Sequence, residues 1–358
     1  MNGSRIRTAE PVRMWDVLKP VTPTFHPRLV NGRFGDPALF VEMLHRREAL
    51  LFDLGDLSAL STRDLLRIEH VFVSHMHMDH FVGFDALLRV NIGRQKVIRF
   101  VGPEGLCERI HHKLQGYDWD LADKYDSDLI VVVTALREDE APRAARFRFK
   151  RRFAWETPVP LPKTNDEGFE VHAAFLQHHG PCLGFALSEP AHANVWKSKL
   201  EELEIEPGQW LQRLKKAILS GADKDSMIGL PDGRHVRLGD LKQLVTLSPG
   251  QKVAYVTDVA DSPPNRSAIA ELAEGADIFF LESRFAADDA HQAHERAHLT
   301  TTAAGEIARS AGVRQFEPFH FSPRYDGQEE RMIAEAMQAF SGEDQDAPAP
   351  EDAGALVT

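Results

Sequence analysis

The residues of this chain best suited to chemistry lie in the run 74–80, which reads SHMHMDH. It contains His75, His77, Asp79 and His80 in the pattern H-x-H-x-D-H, directly after the apolar stretch HVFV. Residues two apart in a tight turn can point the same way, so His75 and His77 can chelate one ion. Asp79 and His80 can then face a second. Neutral imidazole and carboxylate suit divalent ions such as Zn²⁺ or Mn²⁺.

A polar loop that happens to be rich in histidine is the alternative interpretation, because the chain has 17 histidines in 358 residues. Chance seldom produces this spacing even at that frequency, so the pattern is a specific motif that predicts a metal site.

Further ligands are available where other predicted strands end. Asp258 follows the strand-like KVAYVT, and its carboxylate can bridge two cations, although a turn or capping role is the commoner use of such an aspartate. His320 follows a predicted strand, and so do the neighbouring His178 and His179. Active sites of α/β proteins assemble at such strand ends. We therefore expect these side chains to complete the metal site.

Strands and helices alternate along the chain, which favours a layered α/β fold. The predicted strands are 38–42, 49–54, 70–74, 97–101, 129–134, 169–176, 252–257, 278–282 and 315–319. The predicted helices are 84–90, 105–113, 267–273 and 301–311. Segment 190–250 differs, because it holds charged helix-like stretches at 195–203 and 210–220 and turn signals at EPG and PDG. It indicates an insertion between two core strands.

The composition restricts the classes of protein to which this chain can belong. An apolar fraction of 43% fits a globular chain, and no stretch approaches the roughly 18 apolar residues of a membrane span. The N-terminal residues lack the apolar segment of a signal peptide, and the two cysteines are far apart in sequence, so we expect a reducing cytoplasm and no membrane partner. The net charge of −12 excludes a general attraction to nucleic acid. Residues 341–358 are predicted to be a disordered acidic tail without a catalytic role.

A local basic segment remains at 143–152, which reads RAARFRFKRR. In a strand, Arg146, Arg148 and Lys150 would face one side, with Phe147 and Phe149 on the other. Such a face suits RNA, but an ordinary solvated strand face has the same pattern.

Five motifs together resemble the metallo-β-lactamase superfamily and, more narrowly, the ribonuclease Z family. Besides H-x-H-x-D-H these are HHGPCLGF at 178–185, KVAYVTD at 252–258, HLTTTAA at 298–304 and FHFSPRY at 319–325. The similarity covers roughly residues 38–335 in order, and the H-x-x-P-x-x-G-aromatic pattern selects His178 over His179.

The resemblance implies an α/β fold, a metallo-β-lactamase-like αββα sandwich formed by a single domain over 1–340, with 190–250 as an arm-like insertion. It implies two divalent metal ions, most simply Zn²⁺, with Mn²⁺ as the alternative. The implied ligands of the first metal are His75, His77 and His178; those of the second are Asp79, His80 and His320; Asp258 bridges. A homodimer is implied by the resemblance alone.

The implied activity is cleavage of the 3′ trailer of precursor tRNA by a metal-bridging hydroxide that attacks phosphorus. Asp79 can accept the proton of the water, and His298 can stabilise the phosphate or protonate the leaving oxygen. Arg324 is a candidate phosphate contact. Two alternatives stay open: a hydrolase of the same fold acting on a small phosphodiester or another ester, and a non-catalytic, metal-stabilised binding module.

The chain departs from the family in three places. The Gly-Thr-rich segment near the N-terminus of the family is not matched by TPTFHP at 22–27 or VNGRFG at 30–35. The family's His-Glu-Ala-Thr segment is Leu281-Glu282-Ser283-Arg284 here, which we expect to change the surroundings of His298. In the arm, cations are interspersed with glutamates, so its net attraction to RNA is weak.

Overall fold

The computed structural model describes residues 24–157 and 168–342. Its strands are β1 Phe25–Leu29, β2 Leu39–Met43, β3 Ala49–Phe52, β4 Ile68–Phe72, β5 Lys96–Pro103, β6 Leu129–Leu136, β7 Arg143–Arg148, β8 Trp155–Glu156, β9 Glu170–Gln177, β10 Pro181–Ser188, β11 His192–Val195, β12 Met227–Gly229, β13 His235–Arg237, β14 Val245–Ser248, β15 Lys252–Val256, β16 Ile278–Glu282 and β17 Gln315–Phe319.

The helices are α1 Thr62–Arg67, α2 Phe84–Asn91, α3 Leu106–Gln115, α4 Lys197–Glu202, α5 Trp210–Leu219, α6 Leu238–Leu241, α7 Pro263–Ala273, α8 Ala290–Glu295, α9 Thr301–Ser310 and α10 Glu329–Ser341. No helix in the described ranges is long and apolar enough to cross a bilayer. The predicted signal-free N-terminus lies outside the described residues, as does most of the predicted acidic tail.

The described residues form two compact units, one of Thr24 with 190–250 and one of 25–189 with 251–342. The larger unit contains an eight-stranded sheet in the order β1-β2-β3-β4-β5-β6-β7-β8 and a five-stranded sheet in the order β17-β16-β15-β10-β9. Strands β3 to β6 are parallel in the first sheet, and β15 to β17 are parallel in the second.

The two sheets pack face to face, and helices cover their outer faces. Alternation along β15 and β16 shows why: Tyr255 and Phe280 lie in the apolar layer shared with Phe52 of the first sheet. Val256 and Leu281, one residue further, join the layer that includes Ile269 of helix α7. Each strand therefore buries both of its faces, one against a sheet and one against helices. The result is the αββα sandwich.

The smaller unit has an apolar cluster of its own. Trp210 and Leu214 of helix α5 are buried against Leu200, Leu238 and Leu244. Two antiparallel pairs, β11 with β14 and β12 with β13, complete it. The predicted helix at 195–203 begins only at Lys197, because Val195 ends β11 and Trp196 is the N-cap.

The basic segment at 143–152 forms a strand only as far as Arg148; a 3-10 turn follows at Phe149–Arg151. The predicted alternation up to Lys150 is therefore wrong, although Phe147 and Phe149 are both buried. Its cations are largely neutralised within the chain. Arg143 pairs with Glu108, Arg146 with Glu156, Arg148 with Asp128 and Arg152 with Asp123. Because each of these four arginines has an acidic partner, the structure favours the interpretation as an ordinary solvent-facing strand over the interpretation as an RNA-binding surface.

Candidate metal centre

The H-x-H-x-D-H run follows β4 at the edge where the parallel strands of the first sheet end. Its second half turns through a 3-10 helix at Met78–His80, which directs His80 into the interior. At its start, the carbonyl of Ser74 accepts a hydrogen bond of 2.9 Å from the amide of Leu183 on β10. The run is therefore tied to the second sheet as well as to the first.

Asp53, directly after β3, holds this run in place. One carboxylate oxygen accepts from the amide of Ser74 at 2.7 Å. The other lies 2.8 Å from the Ser74 hydroxyl, 2.9 Å from the hydroxyl of Tyr255 and 3.1 Å from Nδ1 of His80. Contact of Nδ1 with a carboxylate directs Nε2 of His80 towards the cluster described below. Asp53 was not among the residues predicted for the site, and its only signal in the sequence is its place near the end of a predicted strand.

Replacing Asp53 with alanine is expected to weaken metal binding by about 10–100-fold, the usual effect of removing a carboxylate that orients a ligand histidine. The buried Ser74 and Tyr255 hydroxyls would lose their acceptor, which costs roughly 1–3 kcal/mol of folding free energy. Competition with a chromogenic chelator measures the first effect and urea unfolding the second. Asp56→Ala is the matched control, since Asp56 is exposed and hydrogen-bonds only locally with Ser58. Equal metal affinity in the Asp53 variant and wild type would contradict the assigned role.

Asp258 lies at the centre of two groups of histidines. Its Oδ2 is 3.5 Å from Nε2 of His75 and 3.6 Å from Nε2 of His178. Its Oδ1 is 3.4 Å from Nε2 of His80 and 2.9 Å from Nδ1 of His320. One carboxylate thus faces a different pair of imidazoles with each oxygen, the arrangement expected of a bridging ligand.

Two more predicted ligands complete the groups. His77 joins His75, His178 and Asp258 in a set whose donor atoms all lie within 4.8 Å of one another. Asp79 forms a second such set with His80 and His320, with its Oδ2 3.7 Å and 3.9 Å from their Nε2 atoms. All seven residues predicted as ligands are therefore brought together. A third grouping joins Asp258 and His320 to Glu282 and His298.

The chemistry of these donors fits a divalent cation. Nε2 of His75 and Nε2 of His80 are buried and have no hydrogen-bond partner among the described residues, and such orphaned atoms are costly unless an ion uses them. Burial, reinforced by the neighbouring His80, lowers the pKa of His75 to about 2, so its lone pair stays free. Burial opposes ionisation of Asp258, but the imidazoles of His320 and His80 hold its pKa well below the usual range.

No thiolate belongs to the site. Burial, with the charge of Asp258, raises the pKa of the Cys182 thiol far above its usual value, and Sγ donates to the backbone carbonyl of Asp258 at 3.3 Å. The site is therefore built of nitrogen and oxygen donors, as predicted.

The histidines beside the cluster have fixed orientations. Nδ1 of His178 contacts the backbone carbonyl of Ala297 at 2.8 Å, which leaves its Nε2 facing Asp258. His179, rejected in the sequence analysis, is exposed. Nδ1 of His298 lies 2.9 Å from a carboxylate oxygen of Glu282, and its ring centroid is 4.7 Å from that of His178. His298 is therefore at the cluster with a carboxylate partner behind it.

The departure at Leu281 leaves a carboxylate contact of His298 in place. Leu281 is fully buried in the layer between the sheet and its helices, on the opposite face of β16 from Glu282. Glu282 keeps its contact with His298 and also accepts from the amide of Val259 at 2.7 Å. Burial opposes ionisation, but His298 lowers the pKa of Glu282 to about 2, so this carboxylate is ionised at neutral pH.

Several residues at this edge have a left-handed backbone although none is glycine. The φ angles are 57° at Asp53, 38° at Asp258, 54° at Ala297 and 60° at His320. Such conformations cost of order 1–3 kcal/mol each and concentrate at functional sites, where the surroundings hold them. Asp53 and His320 directly follow a strand, Asp258 follows one after a single residue, and Ala297 directly precedes His298, so the strain lies where the chain turns at the cluster.

Arg324 and Arg284 differ in their position relative to the cluster. Arg324, the predicted phosphate contact, donates to Gln292 at 2.5 Å and lies 3.7 Å from a carboxylate oxygen of Asp289, so the structure does not bring it into the cluster. Arg284, which the sequence analysis noted only as a departure, places Nη1 2.6 Å from Nε2 of His320.

Comparison with known proteins is consistent with this geometry. A Beta-lactamase superfamily domain model matches residues 52–247. Ribonuclease Z of Deinococcus radiodurans is 32% identical over 81% of this chain and 87% of that protein. Ribonuclease Z of Gloeothece citriformis is 31% identical over 78% of this chain and 77% of its own length. The chain belongs to the ribonuclease Z family.

As a ribonuclease Z family member, the chain is a metal-dependent hydrolase with the metallo-β-lactamase fold. A solved structure agrees on the fold: the metallo-β-lactamase fold protein YhfI of Bacillus subtilis superposes with a TM-score of 0.51 and 16% identity. That superposition covers 87% of this chain and 92% of YhfI. The predicted family and fold are thereby confirmed.

Proposed function

We propose that this protein is an endoribonuclease that removes the 3′ trailer of precursor tRNA, with two divalent metal ions held by the clusters around Asp258. The observation that carries the proposal is the bridging position of Asp258, whose two oxygens face separate histidine pairs. The similarity to ribonuclease Z proteins over most of the chain supports the choice of an RNA substrate.

The ligand roles follow the two groups. The proposed ligands of the first cation are His75, His77 and His178, those of the second are Asp79, His80 and His320, and Asp258 bridges. Nitrogen and oxygen donors without a thiolate suit Zn²⁺, with Mn²⁺ as the alternative. A pair of such ions, when bound, lowers the pKa of water and offsets the charge of a phosphate. The family resemblance also leads us to infer a homodimer.

The protein side chains divide the proton transfers between them. Asp79, partly exposed beside the second group, is placed to accept a proton from the attacking water. His298 lies beside His320, with 5.9 Å between the ring centroids, and its ring can donate a proton to the leaving oxygen. The contact with the Glu282 carboxylate fixes the orientation of His298.

The smaller unit has a surface suited to RNA, and we propose that 190–250 acts as an arm that holds the substrate. A groove of about 570 Å³ on this unit is lined in part by His192, Asn194, Gln212, Lys215 and Lys216. The two lysines form no ion pair with any acid among the described residues. Cations and amides at a groove can contact a phosphate backbone.

The decisive experiment compares two substrates for the metal-loaded protein: a precursor tRNA with a 3′ trailer, and a simple aryl phosphodiester. We expect both to be cleaved, with the tRNA cut at the base of its trailer. Cleavage of the aryl phosphodiester without cleavage of the precursor would contradict the tRNA assignment and favour a small-ester hydrolase.

The arm is tested by a Lys215→Ala/Lys216→Ala double variant. Removing two phosphate contacts is expected to reduce the slope of log KM against log salt by about 2 for the precursor tRNA, with aryl phosphodiester cleavage unchanged. Lys197→Ala/Lys242→Ala is the control, because it removes the same charge from exposed positions outside the groove lining. An equal loss in both double variants would mean that net charge, rather than the groove, matters.

A further inference from the structure

Arg284 is fixed at the rim of the metal centre by its backbone. It comes two residues after the end of β16, between the strand ends that carry Asp258 and His320. Its carbonyl accepts from the amide of Ser322 at 3.0 Å, and the preceding amide, of Ser283, donates to Phe319 at 2.8 Å. Its half-buried side chain points into the centre, since Nη1 lies 2.6 Å from Nε2 of His320.

Arg284 has no acid beside it among the described residues, whereas arginines elsewhere in the same unit do. Arg33 pairs with Glu317, Arg266 with Asp261 and Glu306, and Arg314 with Asp277. No carboxylate in the described part of the chain forms an ion pair with Arg284. A half-buried guanidinium without a counter-charge is unfavourable, particularly next to a place where cations bind. Its position is therefore explained by an anion that arrives from outside.

We propose that Arg284 binds the phosphate whose ester bond is cleaved, by donating hydrogen bonds to its non-bridging oxygens beside the second metal position. The guanidinium is a planar fork of N–H donors that matches two phosphate oxygens at once. If Nε2 of His320 were to hold the second cation, Nη1 of Arg284 would lose this partner and could donate to a phosphate oxygen instead. This assignment rests on the proposed phosphodiester chemistry and specifies how the chain holds that group.

The chain departs from its family at this position. In the segment that the family fills with His-Glu-Ala-Thr, position 284 holds arginine instead of threonine. A threonine hydroxyl is short and neutral, so it cannot supply a charge-assisted pair of hydrogen bonds. This chain would therefore bind phosphate at the centre more tightly than a relative with threonine there.

The test measures binding of inorganic phosphate to the metal-loaded protein by calorimetry, together with metal affinity by chelator competition. Arg284→Thr is expected to raise the phosphate Kd by about 10–100-fold, the range for loss of a charged hydrogen-bonded pair, with the metal Kd unchanged. Arg284→Lys keeps the positive charge but loses the forked set of donors, so its phosphate Kd should lie between those of the wild type and Arg284→Thr. Arg314→Thr is the control, because Arg314 lies beyond the opposite end of β17 and pairs with Asp277.

An unchanged phosphate Kd in Arg284→Thr would overturn the proposal. If that variant also binds metal more tightly, Arg284 merely blocks the metal position. The outcome is independent of the tRNA assignment: weaker phosphate binding in a protein that leaves precursor tRNA intact would support Arg284 and contradict only the substrate.

Discussion

The variant Asp258→Asn is expected to lose its metal ions and to cleave phosphodiesters roughly 10³-fold more slowly or worse. Loss of one preorganised electrostatic contact already costs about 10²–10³ in rate, and here the whole cation pair depends on one carboxylate. Each oxygen of Asp258 faces a different pair of histidines, so a neutral amide cannot serve both. Metal content by plasma mass spectrometry and hydrolysis of an aryl phosphodiester measure the two effects.

Asparagine is the informative replacement at this position. Asp258 has a φ of 38°, and asparagine is among the residues that tolerate left-handed backbone, so the local chain conformation is retained. Asp261→Asn is the control on the same loop, because Asp261 is exposed and pairs with Arg266. If the Asp258 variant folds and still binds two equivalents of metal, Asp258 is not the bridging ligand.

The second large effect is expected for His298→Ala, which should lower kcat by about 10²–10⁴ while metal content stays at the wild-type level. His298 touches none of the proposed ligands through a hydrogen bond in the described structure, but its ring lies 4.7 Å from that of His178 and 5.9 Å from that of His320. It is thus close enough to serve a leaving group without holding a metal. Single-turnover cleavage separates this loss from changes in substrate binding.

The control for this variant is His294→Ala. His294 is exposed on α8, four residues earlier in the chain, and belongs to none of the groups around Asp258. If His298→Ala also contains less metal than the wild type, His298 is a metal ligand instead. Glu282→Gln should reproduce part of the kcat loss, because an amide has a single acceptor oxygen and cannot accept from both the Val259 amide and Nδ1 of His298.

Much of the metal centre could be predicted because short local sequence patterns identify its ligands. The H-x-H-x-D-H spacing is specific in itself, and Asp258 and His320 each end a strand whose apolar residues show where it stops. Strand β16 and strand β17 were predicted with their observed bounds. Strand β10 was missed, because its residues were interpreted only as a motif following His178.

What could not be predicted depends on contacts between distant residues. The role of Asp53 requires that Tyr255, 202 residues away in sequence, place its hydroxyl on the same carboxylate. The position of Arg284 beside His320, without an acidic partner among the described residues, is visible only in three dimensions. The basic strand is a weaker candidate for an RNA surface for a related reason, because the acidic partners of its arginines, such as Asp128 for Arg148, lie elsewhere in the sequence.

The left-handed residues at the strand ends have a consequence for how this protein would respond to selection. Glycine would relieve the backbone at positions 53, 258 and 320, but it would also remove buried carboxylates and an imidazole that hold hydrogen bonds at this edge. Glycine also raises the entropy of the unfolded chain, which opposes any gain in stability. The fold and the centre thus depend on the same side chains, and substitutions for heat resistance are better sought away from this edge.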